Sequence, residues 1–440
     1  MEMSGWGRFP VADCAVSRPR DEQALRALVL SSRCIARGNG RAYGDSALNR
    51  ALTIDMTGFD RMIAFDAESG VLTVEAGVLL SDIIAAFLPR GWFPSVTPGT
   101  KFVSVGGMIA ADVHGKNHHR DGAFGAFVEW IDLMTADGSI LRCSRQENAD
   151  LLAFTLGGMG LTGVILRAAI RLTPVESGWI RQRTLVAENL DAAIELFERS
   201  ADWTYSVAWI DCLAQGAALG RSLIMLGEHA RRDELDPACR AAPFAVAERR
   251  KRRVPFDAPG FSLNRFSVRA FNALYYAKGR RGAGDSLIDW DSYFYPLDAI
   301  LDWNRIYGRR GFAQFQCVLP LERSREGMRA LLEAISAAGQ GSFLAVLKRM
   351  GAQESRFSFP MEGYTLALDF PVSEKSLALM RRLDAIAVEH GGRFYLAKDS
   401  RMNASVLDAA DPRVAAFRRM RAETAASARF TSLQSDRLGL

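Results

Sequence analysis

Three glycine-rich turns constrain this 440-residue chain more than any other feature of its sequence. They occupy residues 38–44, 99–107 and 157–163. Glycine lets the backbone approach a ligand closely, and successive main-chain N–H groups form a concave site for anions. One such turn is weak support for a ligand. Three of them, with three of the five histidines close to the second, predict a long anionic ligand held by main-chain groups.

The two commonest nucleotide-binding patterns do not fit these turns. A Walker A loop requires Gly-Lys-Ser or Gly-Lys-Thr, and neither sequence occurs. The turn at 38–44 approaches Gly-x-Gly-x-x-Gly, but its last glycine is one position late, and residues 52–56 have the pattern of a short strand rather than a helix. We therefore expect the anionic groups to lie between loops of two small sheets.

Composition argues against several classes of protein. The apolar content of 49% is that of an ordinary globular protein, and a net charge of +5 is too small to predict a nucleic-acid partner. The six cysteines form no Cys-x-x-Cys pair, which argues against a zinc site and favours a reducing compartment. We find neither a signal-peptide pattern nor ~18 consecutive uncharged apolar residues. We expect no metal and a cytoplasmic location, with peripheral contact at the inner membrane left open.

The pattern of the chain predicts an α+β fold in three parts. Residues 1–174 contain a predicted helix at 22–31, strands near 33–37, 52–56, 61–65 and 71–75, and a hairpin at 126–143, and Ser81 is the predicted cap of a helix ending at Leu88. Residues 175–390 alternate predicted strands with helices near 324–338 and 373–390, which indicates a substrate-binding domain made of an antiparallel sheet with helices on one face. Residues 391–440 are expected to return to the first domain.

Several motifs resemble a known family. The glycine turns resemble the FAD-binding domain of the vanillyl-alcohol-oxidase superfamily, of the PCMH type. Longer stretches resemble, within that superfamily, the family of prenylphosphoryl-ribose oxidases; they lie at residues 40–45, 114–119, 135–138, 294–298, 303–308 and 397–401. The resemblance runs from about residue 30 to the C-terminus. It implies a two-domain flavoprotein with an FAD-binding domain and an antiparallel-sheet substrate domain.

The resemblance also implies a reaction and a partner. The reaction is FAD-dependent oxidation of the C2′ hydroxyl of a prenylphosphoryl-β-D-ribose to the 2′-keto sugar, the first half of an epimerisation to the arabinose donor. The partner is a separate NAD(P)H-dependent keto-reductase. Two alternatives stay open, since fold alone does not decide function. One is an FAD-dependent oxidase of a soluble polyol or sugar lactone, and the other is a basic scaffold that binds membrane or nucleic acid without catalysis.

The resemblance assigns candidate FAD contacts to the glycine turns, the histidine-containing loop and the C-terminal segment. Relatives with covalently attached flavin carry a histidine where this chain has Arg41, and arginine does not form that link, so we expect FAD to be bound noncovalently. The predicted contacts are Arg37, Gly38, Asn39, Gly40, Arg41, Ala42, Tyr43, Gly44, Gly99, Ser104, Val105, Gly106, Gly107, His114, Gly115, Lys116, Asn117, Gly163, Ile165 and Tyr395.

The predicted catalytic residues are Lys398, His114, Tyr43 and Gln316. A desolvated lysine has a lowered pKa and can take a proton from an alcohol, whereas a protonated lysine can stabilise an alkoxide or bind phosphate. The sequence does not choose between these roles, nor between Lys398 and His114 as the base. His118 and His119 are expected to support the loop.

A polar strand face predicts the substrate site. Gln314 and Gln316 are two residues apart on a predicted strand and therefore face the same side. Two amides on an otherwise apolar strand are costly when buried without partners, which favours a polar ligand there. Lys348 is an isolated cation after a predicted apolar strand. The predicted substrate contacts are Gln314, Gln316, Lys348, Thr365 and Lys398.

The run of five cations at 249–253 has two interpretations of equal weight. A run of like charges is often a solvated loop. Alternatively it contacts anionic lipid head groups or the prenyl-phosphate substrate. Near an anionic bilayer each cation contributes about 1 kcal/mol, with Phe256, Phe261 and Phe266 entering the interface.

Overall fold

The computed structural model describes residues 1–247, 249–260 and 262–440. The strands are β1 (Glu2–Ser4), β2 (Val11–Asp13), β3 (Val16–Ser17), β4 (Ile35–Arg37), β5 (Thr53–Asp55), β6 (Met62–Asp66), β7 (Val71–Glu75), β8 (Trp92–Pro94), β9 (Val128–Met134), β10 (Ile140–Ser144), β11 (Val164–Pro174), β12 (Trp179–Ala187), β13 (Tyr205–Ile210), β14 (Ser222–His229), β15 (Arg252–Arg253), β16 (Gly284–Asp289), β17 (Ile300–Leu301), β18 (Phe312–Pro320), β19 (Ala345–Met350), β20 (Gly363–Pro371) and β21 (Arg393–Phe394). The α-helices are α1 (Glu22–Ser31), α2 (Leu80–Phe87), α3 (Val105–Ala110), α4 (His118–Asp121), α5 (Ala149–Thr155), α6 (Leu190–Arg199), α7 (Pro237–Ala241), α8 (Arg265–Arg281), α9 (Trp290–Phe294), α10 (Leu321–Ala338), α11 (Glu374–Glu389), α12 (Ala404–Ala410), α13 (Val414–Glu423), α14 (Ala426–Arg429) and α15 (Leu433–Leu438).

The N-terminal part of the chain forms two sheets that place the glycine turns. Antiparallel strands run in the order β10-β9-β11-β7-β6, with β8 paired to the C-terminal end of β11. A smaller parallel sheet has the order β3-β5-β4. The first glycine turn directly follows β4 at Arg37, and the third directly precedes β11 at Val164. The first and third turns are therefore anchored at strand ends.

The middle of the chain forms an eight-stranded antiparallel sheet in the order β16-β12-β14-β13-β19-β20-β18-β21. Its register places Gln316 opposite Ala367, Ala367 opposite Val346, and Val346 opposite Trp209. Residues paired in this way share one face of the sheet. The alternate residues, such as Leu347 on β19, face the other side and are fully buried.

Helices cover both faces of this sheet, which corrects the expectation of helices on one face. On the side of Leu347, apolar residues of α6, α10 and α11 join one hydrophobic core with the sheet. On the opposite side, Tyr275 of α8 packs against Trp209, with ring centroids 4.8 Å apart. Gly279 of α8 lies so close to Leu223 that an added Cβ would be 2.1 Å from it. Helix α8 therefore shares the sheet face that carries Gln316.

The C-terminal segment joins both parts. Strand β21 pairs with β18 in the large sheet. Farther along, Phe430 forms a β-bridge with Cys34, and Arg437 forms an ion pair with Asp45 at 2.7 Å. The boundaries proposed at residues 174 and 390 stay a prediction.

Two local predictions were wrong. Helix α2 begins at Leu80, and its N-cap Leu79 makes no side-chain hydrogen bond, so Ser81 lies inside the first turn rather than at the cap. Lys348 lies within β19 rather than after an apolar strand. Across the described residues, no helix combines the length and the apolar character needed to span a membrane.

Candidate active site

A cavity of about 450 Å³ lies where the glycine turns meet the large sheet. Its lining comes from all three parts of the chain: most of the first glycine turn, most of residues 98–107, the sheet face that carries Gln316, and Tyr395, Ala397 and Lys398 of the C-terminal segment. A site assembled from segments this far apart in sequence depends on the tertiary fold.

Two glycines of the cavity lining differ in the space around their backbone. Helix α3 begins at Val105, and the hydroxyl of Ser104 accepts a hydrogen bond from the Gly107 amide at 3.3 Å. A Cβ on Gly106 would lie 2.9 Å from the Cβ of Ala76, so glycine allows α3 to start against the end of β7. Gly99, by contrast, has no atom within 4 Å of such a Cβ and leaves its backbone open.

Most of the predicted FAD contacts line this cavity. They are Gly38, Asn39, Gly40, Arg41, Ala42, Tyr43, Gly99, Ser104, Gly106, Gly107, His114, Gly163, Ile165 and Tyr395. In the third turn, Met159, Gly160 and Gly163 line it, whereas Gly157 and Gly158 do not. Which of these residues contact FAD stays a prediction.

Three other predicted FAD contacts do not line the cavity. The guanidinium group of Arg37 donates to the Ser4 carbonyl oxygen at 2.9 Å. Val105 is fully buried in a hydrophobic core with residues of α2, β7, β9 and β11. Gly44 is enclosed by Asp399, since a Cβ on Gly44 would lie 2.1 Å from the Asp399 carbonyl oxygen. Each of these residues has a structural contact within the chain, and its predicted contact with FAD stays a prediction.

The segment 115–117 also lies off the cavity lining. The Lys116 ammonium donates to the Tyr293 carbonyl oxygen and lies 4.0 Å from the centroid of the Tyr293 ring. Burial lowers the pKa of Lys116 to about 7. The Asn117 amide donates to the Ser95 carbonyl oxygen at 2.8 Å, and Gly115 packs against the backbone of Thr97. These residues hold the loop that presents His114.

Arg41 is the cation of the first glycine turn. Its guanidinium carbon lies 4.4 Å from the ring centroid of Trp6, and its buried Nε has no hydrogen-bond partner among the described residues. Burial lowers the pKa of Arg41, and the charges of Asp298 and Asp302 oppose that effect. A desolvated donor without a partner, in a cavity that the open backbone of Gly99 also lines, is suited to a phosphate group. The residues present thus fit the pyrophosphate of FAD.

The sheet face contributes a row of polar groups. The Gln316 amide donates to His114 Nε2 at 3.2 Å and to the Thr365 hydroxyl at 3.3 Å. Thr365 itself donates to the Cys317 carbonyl oxygen at 2.8 Å and does not line the cavity. Gln314, Gln316 and Lys348, the other predicted substrate contacts on this sheet, all do.

Lys398 enters the cavity from the C-terminal segment. Its Nζ lies 3.5 Å from the centroid of the Tyr43 ring. Burial lowers the pKa of Lys398, while Asp369 opposes that effect and Lys348 adds to it. Burial likewise raises the pKa of Asp369, whereas the hydrogen bond from Gln314 and the charge of Lys398 lower it. The two groups form a desolvated pair that can hold or pass a proton.

Lys348 differs from Lys398 in lacking an acidic neighbour. Burial alone lowers its pKa to about 8. Its side chain lines the cavity from the middle of β19 and is half-buried. A half-buried cation of this kind attracts an anionic ligand.

His114 is buried and neutral. Burial lowers its pKa well below the usual value, and the charges of Lys348 and His118 add to that effect. An amide NH2 group only donates, so the Nε2 atom facing Gln316 is an acceptor and the ring proton lies on Nδ1. Nδ1 has no hydrogen-bond partner among the described residues. His114 is thus a potential donor to a ligand through Nδ1.

The two neighbouring histidines support the loop. His118 Nε2 lies 2.8 Å from the Gln353 side-chain oxygen, and the Gly351 amide donates to His118 Nδ1. His119 Nε2 donates to the Trp203 carbonyl oxygen at 2.8 Å. In the described parts of the chain, no three His, Cys, Asp or Glu side chains are grouped so as to hold a metal ion.

Sequence reasoning missed Asp369 and the aromatic wall of the cavity. Asp369 is 1% exposed and accepts hydrogen bonds from Gln314 and from the Tyr307 hydroxyl. The strand alternation that identified Gln314 and Gln316 would have found it, because an acidic residue on the same face of an apolar strand needs partners. Trp6 and Trp303, which line the cavity with rings 5.8 Å apart, carried no comparable signal.

Comparison with known proteins agrees with this geometry. A family described as "FAD binding domain" matches residues 14–144. The chain is 35% identical to decaprenylphosphoryl-β-D-ribose oxidase from Mycolicibacterium smegmatis, over 100% of this chain and 97% of that protein. It is 32% identical to an uncharacterized protein from Streptomyces coelicolor, over 82% of this chain and 100% of that protein.

A more distant similarity covers about a third of the chain. Mouse L-gulonolactone oxidase is 30% identical over 165 residues, which is 37% of each chain. The full-length similarity to the mycobacterial protein is therefore far more extensive. The chain is an FAD-dependent oxidoreductase and belongs to the family of decaprenylphosphoryl-β-D-ribose oxidase.

Proposed function

We propose that this protein oxidises the C2′ hydroxyl of a prenylphosphoryl-β-D-ribose to the 2′-keto sugar. The observation that carries the proposal is the mixed character of one cavity. Lys348 provides positive charge for a phosphate, Lys398 provides an amine that can take a proton, and Gln314 and Gln316 provide amides for sugar hydroxyls. Apolar side chains of Ile300, Leu301, Trp303 and Leu344 line the same cavity and suit a prenyl chain.

FAD, when bound, supplies the acceptor for the hydride that leaves the carbinol carbon. The residues of the chain must then manage the hydroxyl proton. We assign that proton to Lys398 rather than to His114, because the one free lone pair of the neutral His114 ring already accepts from Gln316. The lowered pKa of Lys398 leaves part of its amine unprotonated near neutral pH, and Asp369 stabilises the ammonium that forms.

The other polar groups position the substrate. His114 Nδ1 and the amides of Gln314 and Gln316 are donors for sugar oxygens. Lys348 is the candidate phosphate contact, since it has no acidic neighbour to neutralise it. Tyr43 contacts the Lys398 ammonium through its ring face, which favours the cationic form and fixes its position. FAD is proposed to be held without a covalent bond, because Arg41 replaces the linking histidine.

The product and the lipid tail imply partners. A 2′-keto sugar must be reduced to complete an epimerisation, so we propose a separate NAD(P)H-dependent keto-reductase. A prenyl-linked substrate resides in a membrane, so we also propose that the basic run at 249–253 contacts anionic lipid. Arg250 to Arg253 are exposed, whereas Arg249 is half-buried and donates to main-chain carbonyls. Phe256 is exposed as well, and Phe261 lies outside the described residues.

Anaerobic mixing experiments test the proposal. The FAD-loaded enzyme is mixed with prenylphosphoryl-ribose in detergent, with a ribosyl phosphate that lacks the prenyl chain, and with free polyols and sugar lactones. We expect rapid bleaching of the flavin absorbance by the prenyl substrate, slower bleaching by the truncated one, and none by the others. Bleaching by a polyol or lactone alone would favour the soluble-sugar oxidase. A preparation that takes up no FAD would favour the basic scaffold.

A further inference from the structure

Helix α8 carries apolar side chains on its solvent side. Of its 17 residues only Val268 and Asn272 are buried. Phe266 is 81% exposed and Leu274 is 73% exposed, which makes them two of the most exposed large apolar side chains of the described residues. Single exposed apolar residues need no explanation, but a grouped set indicates an interaction surface.

The exposed apolar residues form a continuous stripe. Phe266, Ala270, Ala273, Leu274 and Ala277 recur at helical spacing and are all exposed. The opposite side of α8 is the one that packs on the large sheet, through Val268, Tyr275 and Gly279. The stripe therefore points away from the protein and has no partner within this chain among the described residues.

Positive charge borders the stripe. Helix α8 contains five cations and no acidic residue. At about 100° per residue, Arg269 and Arg280 lie along one side of the stripe and Lys278 lies along the other. An apolar stripe bordered by cations is typical of helices that lie in the head-group region of a membrane. The arrangement suits anionic lipid better than a second copy of the chain, because two α8 helices would bring like charges together.

The position of α8 relates the stripe to the cavity. Phe271 of α8 packs against Phe343, with ring centroids 5.6 Å apart, and the next residue, Leu344, lines the cavity. The exposed basic strand β15 pairs with β17, whose residues Ile300 and Leu301 also line the cavity. Helix α8 and the basic run at 249–253 thus border the apolar part of one cavity.

We infer that α8 is a membrane-docking helix whose stripe enters the interface of an anionic bilayer. In this position the apolar part of the cavity faces the lipid, and a prenyl chain passes from the bilayer to the site without crossing water. The inference rests on the proposed function only in linking α8 to a lipid substrate. Vesicle binding does not depend on turnover, so the two proposals fail separately.

Sedimentation of the FAD-loaded enzyme with vesicles tests the inference. The vesicles contain either phosphatidylcholine alone or equal parts of phosphatidylcholine and phosphatidylglycerol. The test variant is Phe266→Ser with Leu274→Ser. The control variant is Leu30→Ser with Ile63→Ser, which changes residues 47% and 49% exposed on α1 and β6. Flavin content and melting temperature check that each variant is folded.

The unchanged enzyme should bind to the anionic vesicles. The affinity of the test variant for these vesicles should be lower by roughly tenfold or more, because two large apolar side chains no longer enter the interface. The control variant should bind as the unchanged protein does. Replacing Arg269 and Lys278 with glutamine should also weaken binding, and more at low salt, whereas glutamine at exposed Arg323 and Arg382 should not.

Three results would overturn the inference. They are no vesicle binding by the unchanged enzyme, equal binding by the test variant, and a dimer that dissociates in the test variant while vesicle binding persists. The last result would assign the stripe to self-association. Flavin bleaching by detergent-dissolved prenyl substrate should be the same in the test variant and the unchanged protein. If the prenyl substrate bleaches the flavin of neither protein, the proposed function is rejected, and the vesicle result still decides the role of α8.

Discussion

Replacing Lys348 with methionine should stabilise the protein and weaken substrate binding. Burial lowers the Lys348 pKa from 10.5 to about 8, and no acidic neighbour offsets that effect. A difference of this size corresponds to about 3 kcal/mol of unfavourable free energy in the folded state. Because the side chain is only half-buried and faces the cavity, we expect about 1–3 kcal/mol. Methionine keeps most of the apolar length and removes the charge.

The pH dependence follows from the direction of the shift. Below pH 8 the lysine is charged in both the folded and the unfolded chain, so the full free-energy cost of burying the charge destabilises the folded state. Between pH 8 and 10.5 the folded protein holds a neutral amine while the unfolded chain still binds the proton, and the penalty falls. Above pH 10.5 it is absent. The advantage of Lys348→Met should therefore be largest below pH 8 and vanish above 10.5.

Thermal unfolding of the substrate-free enzyme measures this advantage. For a chain of this length unfolding as one unit, about 1–3 kcal/mol corresponds to a rise in Tm of roughly 1–3 °C. Lys375→Met, at an exposed position in the first turn of α11, is the control and should leave Tm unchanged. In flavin-bleaching assays, Lys348→Met should raise KM for the prenyl substrate. A lower Tm, or a gain that persists at pH 11, would refute the reasoning from burial.

Four further outcomes are expected. Acid precipitation should release yellow flavin into the supernatant, since Arg41 does not form a covalent link; flavin retained by the protein band on a denaturing gel would contradict this. Lys398→Met should keep FAD but slow flavin bleaching by about 10²–10³, as for loss of one group that stabilises developing charge, and a near-normal rate would remove Lys398 from the reaction. Gly106→Val should lose FAD because Ala76 leaves no room, whereas Gly260→Val, with open space around it, should not; equal flavin content in both would show that the site is misplaced. Glutamine at residues 250–252 should reduce binding to anionic vesicles and raise KM with kcat unchanged, and unchanged vesicle binding and KM would mark the run as a solvated loop.

Strongly periodic segments were predicted well from sequence. The helix at 22–31 matches α1, and the predicted hairpin at 126–143 matches β9 and β10 closely. In these segments local pattern and tertiary burial agree. The predicted cap at Ser81 failed because the start of α2 is decided by packing. Leu80 is fully buried, and its amide donates to the Val103 carbonyl oxygen, so the helix begins one residue before the serine.

The site was predictable only in its local pieces. Glycine turns and strand alternation are local patterns, and they identified the first glycine turn, Gln314 and Gln316, which line the cavity. The hydrogen bond between Gln316 and His114 joins residues 202 positions apart, and no local pattern predicts such a contact. The contacts of the loop at 115–117 could not be predicted for the same reason, and its contact with FAD stays a prediction. Lys116 and Asn117 find hydrogen-bond partners elsewhere in the chain, whereas the neighbouring His114 lines the cavity.

The position of Lys398 depends on main-chain contacts between the two ends of the chain. The Tyr43 amide donates to the Ala397 carbonyl oxygen at 2.9 Å, and Gly44 packs directly on the backbone of Asp399. Arg437 then binds both Asp45 and Asp399, at 2.7 and 2.9 Å. These contacts join the Tyr43 turn directly to the Lys398 segment and place the Lys398 ammonium beside the Tyr43 ring. The proton transfer that we propose for Lys398 depends on such placement, because small displacements are costly in rate. The buried ion pairs of the C-terminal segment therefore serve the placement of Lys398 as much as the stability of the fold.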